Sequence, residues 1–289
     1  MAESIKDIIQ KPVSRKRYEF LKRFNNLTED EKTEISRFEQ ENKPKQVFTL
    51  KEVKSRPNGK ILNKETLWKA FLKEYFEQNK VNFQKTHDSV INVSSVMKYF
   101  LRDETFFDSL NLVTSFDKGK LTPSFDKGLL IIGNYGNGKS SMLRALSGAI
   151  NNMYLQAYNE NWQTLPQWQS VRFSYHNVHD VVTDFECIDN NESRANFYKK
   201  YSGFRHCYDD IKKEKIASNF GKTNLMKEII EKRYDNKAKT FAICNYDDAF
   251  PNNLEHAVLE FGAKYGGHVL DRIFEMFNIL EFKGKSFRK

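Results

Sequence analysis

The sequence predicts an α/β fold: a parallel sheet flanked by helices, preceded by a smaller, mostly helical domain. Two observations predict it. After residue 120, short apolar runs at 129–132, 171–175, 204–208 and 240–244 alternate with helical stretches around 141–155, 179–186, 195–201 and 224–234. Strands separated by helices favour a parallel sheet covered on both faces, with ligands beyond the carboxyl ends of the strands. In addition, residues 133–140 read GNYGNGKS and match GxxxxGK[ST] at every fixed position, between the apolar run GLLII and the helical SSMLRALSGAI.

Before residue 105 the pattern is one of helices and loops. Thr28 and Glu31 form a capping box for a helix through Phe38. Residues 56–59, RPNG, signal a turn. Asn63 caps an amphipathic segment whose apolar residues Leu67, Trp68, Phe71, Leu72, Tyr75 and Phe76 recur at helical spacing. A further helix from about Val90 to Leu101 gathers Val93, Met97 and Phe100 on one face. Such stripes fit core packing better than partner docking. The expected domains are residues 1–105 and 106–289.

Composition bounds the rest. The chain has 289 residues, 39% hydrophobic and 29% charged, as in ordinary globular proteins. No apolar run approaches a membrane span, and the N-terminus lacks the apolar core of a signal peptide, so a cytoplasmic protein is expected. Cys187, Cys207 and Cys244 are widely spaced without a CxxC, which argues against a zinc site or disulfide framework and for buried free thiols. The net charge of +9 suits a polyanionic partner, nucleic acid above all. About two-thirds of that surplus lies in roughly the first 120 residues.

The phosphate-loop pattern explains its own residue types. The cofactor contacts are expected from Gly133, Asn134, Tyr135, Gly136, Asn137, Gly138, Lys139, Ser140 and Ser141, for ATP with Mg²⁺. Glycines let successive N–H groups converge on a phosphate. Lys139 supplies a point charge between the β- and γ-phosphates, and the Ser140 hydroxyl is placed to bind Mg²⁺. The following helix turns its positive end to the phosphates. Downstream, RHCYDDI brings Asp209 to a strand end, where it can hold the metal through water, and Asp210 next to it, as general base. The strand 240–244 ends at Asn245, whose amide can orient water or simply make a turn. Arg272 lies in a helical stretch, GGHVLDRIFEMF, where a solvated charge or salt bridge is the ordinary role.

Taken in order, GNYGNGKS, CYDDI, TFAICNY, VLDRIFEMF and the closing EFKGKSFRK resemble the AAA+ ATPases of the DnaC and IstB group over residues 106–289. These are replicative-helicase loaders and transposon-encoded relatives. The resemblance implies Walker A at Lys139 and Ser140, Walker B at Asp209 and Asp210, sensor I at Asn245 and an arginine finger at Arg272. It further implies a homo-oligomeric ATPase that binds single-stranded DNA and docks a helicase or transposase through its N-terminal part. Two departures stand out. Asp210 occupies a position that is usually Glu, which shortens the base. The chain also leaves no room after the last strand for a helical lid. A helicase loader is the leading reading and an IstB-like transposition ATPase its nearest alternative. A non-hydrolysing assembly switch and a small-molecule kinase are further alternatives, although no arginine-rich lid stretch precedes Asp209.

Overall fold

The computed structural model describes residues 18, 21, 22, 27–41, 58–117, 119–219 and 221–288. The chain divides into two compact units, residues 1–55 and 56–289. In the first, helix α1 (Glu29–Glu41) starts at the expected capping box. The Glu31 carboxylate accepts from the Thr28 N–H at 3.0 Å, and the Thr28 hydroxyl accepts from the Glu31 N–H at 3.4 Å. Arg56 and Pro57 of the expected turn lie outside the described residues.

The second unit opens with α2 (Lys64–Asn79), capped by the Asn63 side chain, and α3 (His87–Leu101). Helix α3 begins three residues before Val90 because Thr86 and Ser89 cap each other's backbone. A two-residue hairpin, β1 (Ser115–Phe116) with β2 (Gly119–Lys120), leads into β3 (Gly128–Gly133). There follow α4 (Lys139–Asn159), α5 (Leu165–Val171), β4 (Ser174–Asn177), α6 (Val178–Glu186), α7 (Asn191–Ser202) and β5 (His206–Asp209). A second small hairpin, β6 (Ala217–Ser218) and β7 (Lys222–Thr223), precedes α8 (Leu225–Asp235) and β8 (Thr240–Asn245). Helices α9 (Leu254–Tyr265) and α10 (Gly267–Met276) then run into β9 (Phe277–Phe282).

Five strands form one parallel sheet in the order β4-β5-β8-β3-β9. Its register pairs Gly133 with Asn245 and Tyr208 with Ala242, so the ends of β3, β8 and β5 lie side by side. Alternation along the strands splits the core in two. Leu129, Ile131, Phe241 and Ile243 face α2 to α5, whereas Leu130, Ile132, Ala242 and Cys244 face α6 to α10. The connection from β3 to β4 covers one face and the later ones cover the other, as right-handed crossovers in opposite directions require. The crevice between β3 and β8, where the direction of winding reverses, is the place where such sheets hold ligands.

Three expectations need correction. The units divide at 55/56 rather than 105/106, because Leu67, Phe71, Val93, Met97 and Phe100 pack in the same core as Leu129 and Phe241. The strands expected at 171–175 and 204–208 begin two to three residues later, at Ser174 and His206, because Val171 closes α5 and Phe204 adopts a left-handed backbone. Cys207 and Cys244 are buried free thiols, but Cys187 caps α6 at the surface and is exposed. No helix among the described residues is long and apolar enough to cross a membrane.

Candidate functional site

The loop between β3 and α4 begins where the apolar strand ends. Gly136 and Gly138 take φ of +75° and +90°, which lets the chain fold back on itself over five residues. Helix α4 starts at Lys139 without a side-chain cap, leaving its first N–H groups directed at the loop. Ser140 and Ser141 follow in that first turn. Asn134 and Tyr135 are tied across the mouth of the site, to Asn252 at 2.5 Å and to Asp248 at 2.9 Å. Asn137 is buried and donates to the Phe282 carbonyl at 2.8 Å, which fixes the loop to β9.

Lys139 is buried, and its Nζ donates to the carbonyls of Gly133 at 2.8 Å and Asn134 at 2.7 Å. It also reaches Asn137 Oδ1 at 3.3 Å and Asn245 Oδ1 at 2.9 Å. All four acceptors are neutral. Burial pushes the lysine down to about 8, and the carboxylates of Asp209 and Asp210 recover only part of that. A buried cation resting on dipoles alone fits an incoming phosphate.

Asp209 ends β5 beside it. The Ser140 hydroxyl donates to Asp209 Oδ1 at 2.9 Å, the Asp210 N–H donates to the same oxygen at 3.0 Å, and the Tyr175 hydroxyl donates to Oδ2. Burial raises the Asp209 pKa, and these donors, Tyr175 foremost, hold it back. The pair Ser140–Asp209 is a compact oxygen set suited to Mg²⁺, one ligand direct and the other through water. Asp210 sits at φ +59°, half-buried, with Asn177 Nδ2 at 3.5 Å from its carboxylate.

The fold thus brings Lys139, Ser140, Asp209, Asp210 and Asn245 together at one end of the sheet. Arg272 is not among them. Met276 runs straight into Phe277, which pairs with Gly128, so the C-terminal end of α10 lies at the edge of the sheet away from Gly133. There Arg272 stacks over the Tyr234 ring at 4.5 Å and lies 4.0 Å from Asp235.

Two contributions went unseen in the sequence. Tyr175 anchors Asp209 from the neighbouring strand, and nothing in local spacing marks it. The segment after β9 folds over the loop: the Phe287 N–H donates to the Gly136 carbonyl at 2.9 Å. Arg288, beside it, adds positive potential at Lys139.

A parallel sheet carrying GxxxxGK[ST] between a strand and the helix that follows it is the P-loop NTPase fold. The chain is similar to a solved structure described as the DnaC helicase loader, at 18% identity and a TM-score of 0.46, over 76% of this chain and 100% of that one. It is also similar to a solved structure of DnaI, at 16% identity and a TM-score of 0.40, over 78% of this chain and 94% of that one. No protein-family profile and no curated protein matches the sequence.

Proposed function

We propose that this chain is an ATPase of the DnaC-like AAA+ kind, which binds ATP, Mg²⁺ and single-stranded DNA and loads or recruits a replicative helicase. The observation that carries the ATPase reading is the convergence of Lys139, Ser140, Asp209 and Asn245 at one strand edge. The helicase-loading reading rests on the order of the motifs along the chain. Lys139 leaves its neutral acceptors for the β- and γ-phosphates, and the loop amides together with the N-terminus of α4 hold the remaining phosphate charge. Ser140 and Asp209 would hold Mg²⁺, which would supply positive charge against the phosphates. Asp210 takes a proton from the attacking water, and Asn245 orients that water. Arg272, at the far edge of its own sheet, serves the nucleotide of a neighbouring subunit. The N-terminal part of the chain supplies the surface that docks the partner.

The test is single-turnover ATP hydrolysis by the full chain, with and without single-stranded DNA. Lys139→Ala is expected to lose ATP binding, whereas Asp209→Asn keeps part of the binding and loses Mg²⁺-dependent hydrolysis. Turnover by Lys139→Ala at the wild-type rate sinks the assignment. The shorter base at Asp210 favours one second reading, an assembly switch that binds ATP and barely hydrolyses it. A chemical step no faster than uncatalysed ATP loss selects that reading. Co-purification with a hexameric helicase rather than a transposase separates the loader from its IstB-like alternative.

A further inference from the structure

At the end of the sheet opposite the phosphate loop, the turns before β5 and β8 and the ends of α3 and α5 line an open cavity of about 780 Å³. The six-residue β8 puts roughly 20 Å between the two ends. The turn before β5 is held by Arg233, which is wholly buried. Its guanidinium donates to the carbonyls of Tyr201, Gly203, Phe204 and Lys239 and to the Thr240 hydroxyl, at 2.7 to 3.0 Å. Held this way, Phe204 sits at φ +38° with 47% of its surface exposed. A bulky aromatic residue is strained in that backbone region, and turning it to water gains nothing for the core.

Cations surround it. Arg102, Arg205, Lys237 and Lys239 line the cavity, and no carboxylate does. Among the described residues none of the four makes an ion pair; Asp126 acts on Lys239, and it lines the adjoining cavity with Asp235 and Glu275. Burial first, and then the charges of Arg102 and Arg205, hold Lys239 below the ordinary lysine value. Arg205 and Arg172 each lie 5.7 Å from the Phe204 ring, and Arg102 lies 5.2 Å from the Phe125 ring. Cations drawn from three separate segments around an exposed aromatic face match a flexible chain of phosphates carrying flat bases. A duplex keeps its bases stacked inside, out of reach of such a ring.

We propose that this cavity binds single-stranded polynucleotide, with Arg102, Arg205, Lys237 and Lys239 on the phosphodiesters and a base stacked on Phe204. The inference rests on the single-stranded-DNA part of the proposed function and gives it a location. That location is remote from the phosphate loop and joined to it by β8, which starts next to Lys239 beside the cavity and ends at Asn245 beside Lys139.

The test measures binding of a fluorescent oligothymidylate to the full chain at several salt concentrations, with inorganic polyphosphate as a base-free competitor. The Arg102→Glu, Arg205→Glu double variant is expected to weaken both ligands at least about tenfold. It should also flatten the salt slope by about 1.4, since two phosphodiesters are left without their cations. Phe204→Ala is expected to weaken the oligonucleotide about tenfold or more and to leave polyphosphate unchanged, while Phe204→Trp keeps both. ATP affinity and the thermal midpoint should stay at wild-type values in all of them. If a charge reversal unfolds the chain, the milder Arg102→Gln reads the same loss on a smaller scale. Wild-type binding that these variants leave intact overturns the site and spares the DNA reading. No wild-type binding at low salt overturns both. Equal losses for oligonucleotide and polyphosphate in Phe204→Ala overturn the stacking.

Discussion

Raising the pH is expected to weaken ATP binding where an ordinary lysine would show nothing. The Lys139 ammonium is buried on four neutral oxygens, and burial brings its pKa to about 8 from 10.5. Phosphate contact needs the charged form, so the apparent Kd scales as one plus the ratio of neutral to charged lysine. With a pKa of about 8 that factor is about tenfold at pH 9, whereas a lysine at 10.5 would change the Kd by only a few per cent. With Mg²⁺ present the nucleotide's own phosphates are already ionised at neutral pH, so they do not titrate in this range. The sign for stability is opposite. The charged form is disfavoured in the folded chain, so the unfolded chain holds more protons between about 8 and 10.5, and the site's contribution to stability rises with pH across that window. The assay is a fluorescent-ATP titration from neutral to alkaline pH, with Lys139→Arg as a non-titrating control. A wild-type Kd that stays flat through pH 9 refutes the burial argument, and a fall shared by Lys139→Arg assigns the effect to another group.

Two further outcomes follow from single side chains. Arg272 stacks on Tyr234 at the edge of the sheet away from its own loop, so Lys139→Ala and Arg272→Ala, each nearly inactive alone, should regain part of the ATPase activity when mixed. Flat activity in proven hetero-oligomers rules out a finger acting across subunits. Arg233→Lys leaves at least two of its five acceptors unpaired, which should cost about 2–5 kcal/mol and lower the thermal midpoint by roughly 5–15 °C. A shift below about 2 °C would mean that water satisfies those carbonyls.

Much of the phosphate-loop end of the sheet was legible because its signals are local. A glycine loop, an apolar strand before it and an acidic strand end declare themselves within a few residues, and β3, α4 and β8 lie close to where they were expected. What stayed hidden depends on pairing across the sheet. The stripes on α2 and α3 announce burial but not against what, so the expected boundary at 105/106 falls beside helices that share the core of the sheet. Tyr175 reaches Asp209 only because β4 lies beside β5. The hydrogen bonds that place Arg233 under the turn at Phe204 come from five positions, the most distant of them 32 residues away.

The pairing of Gly133 with Asn245 has a consequence for how this site tolerates change. The spacing between lysine and asparagine is set by the backbone ladder, as marks are set on a ruler, and not by the side chains packed above and below it. Thinning either core should therefore lower stability while leaving the geometry at the strand ends in tune. A single residue inserted in or deleted from β8 should disturb both at once. It would exchange Asn245 for a neighbour whose side chain points through the opposite face, and would swap Phe241 and Ile243 with Ala242 and Cys244 between the two cores.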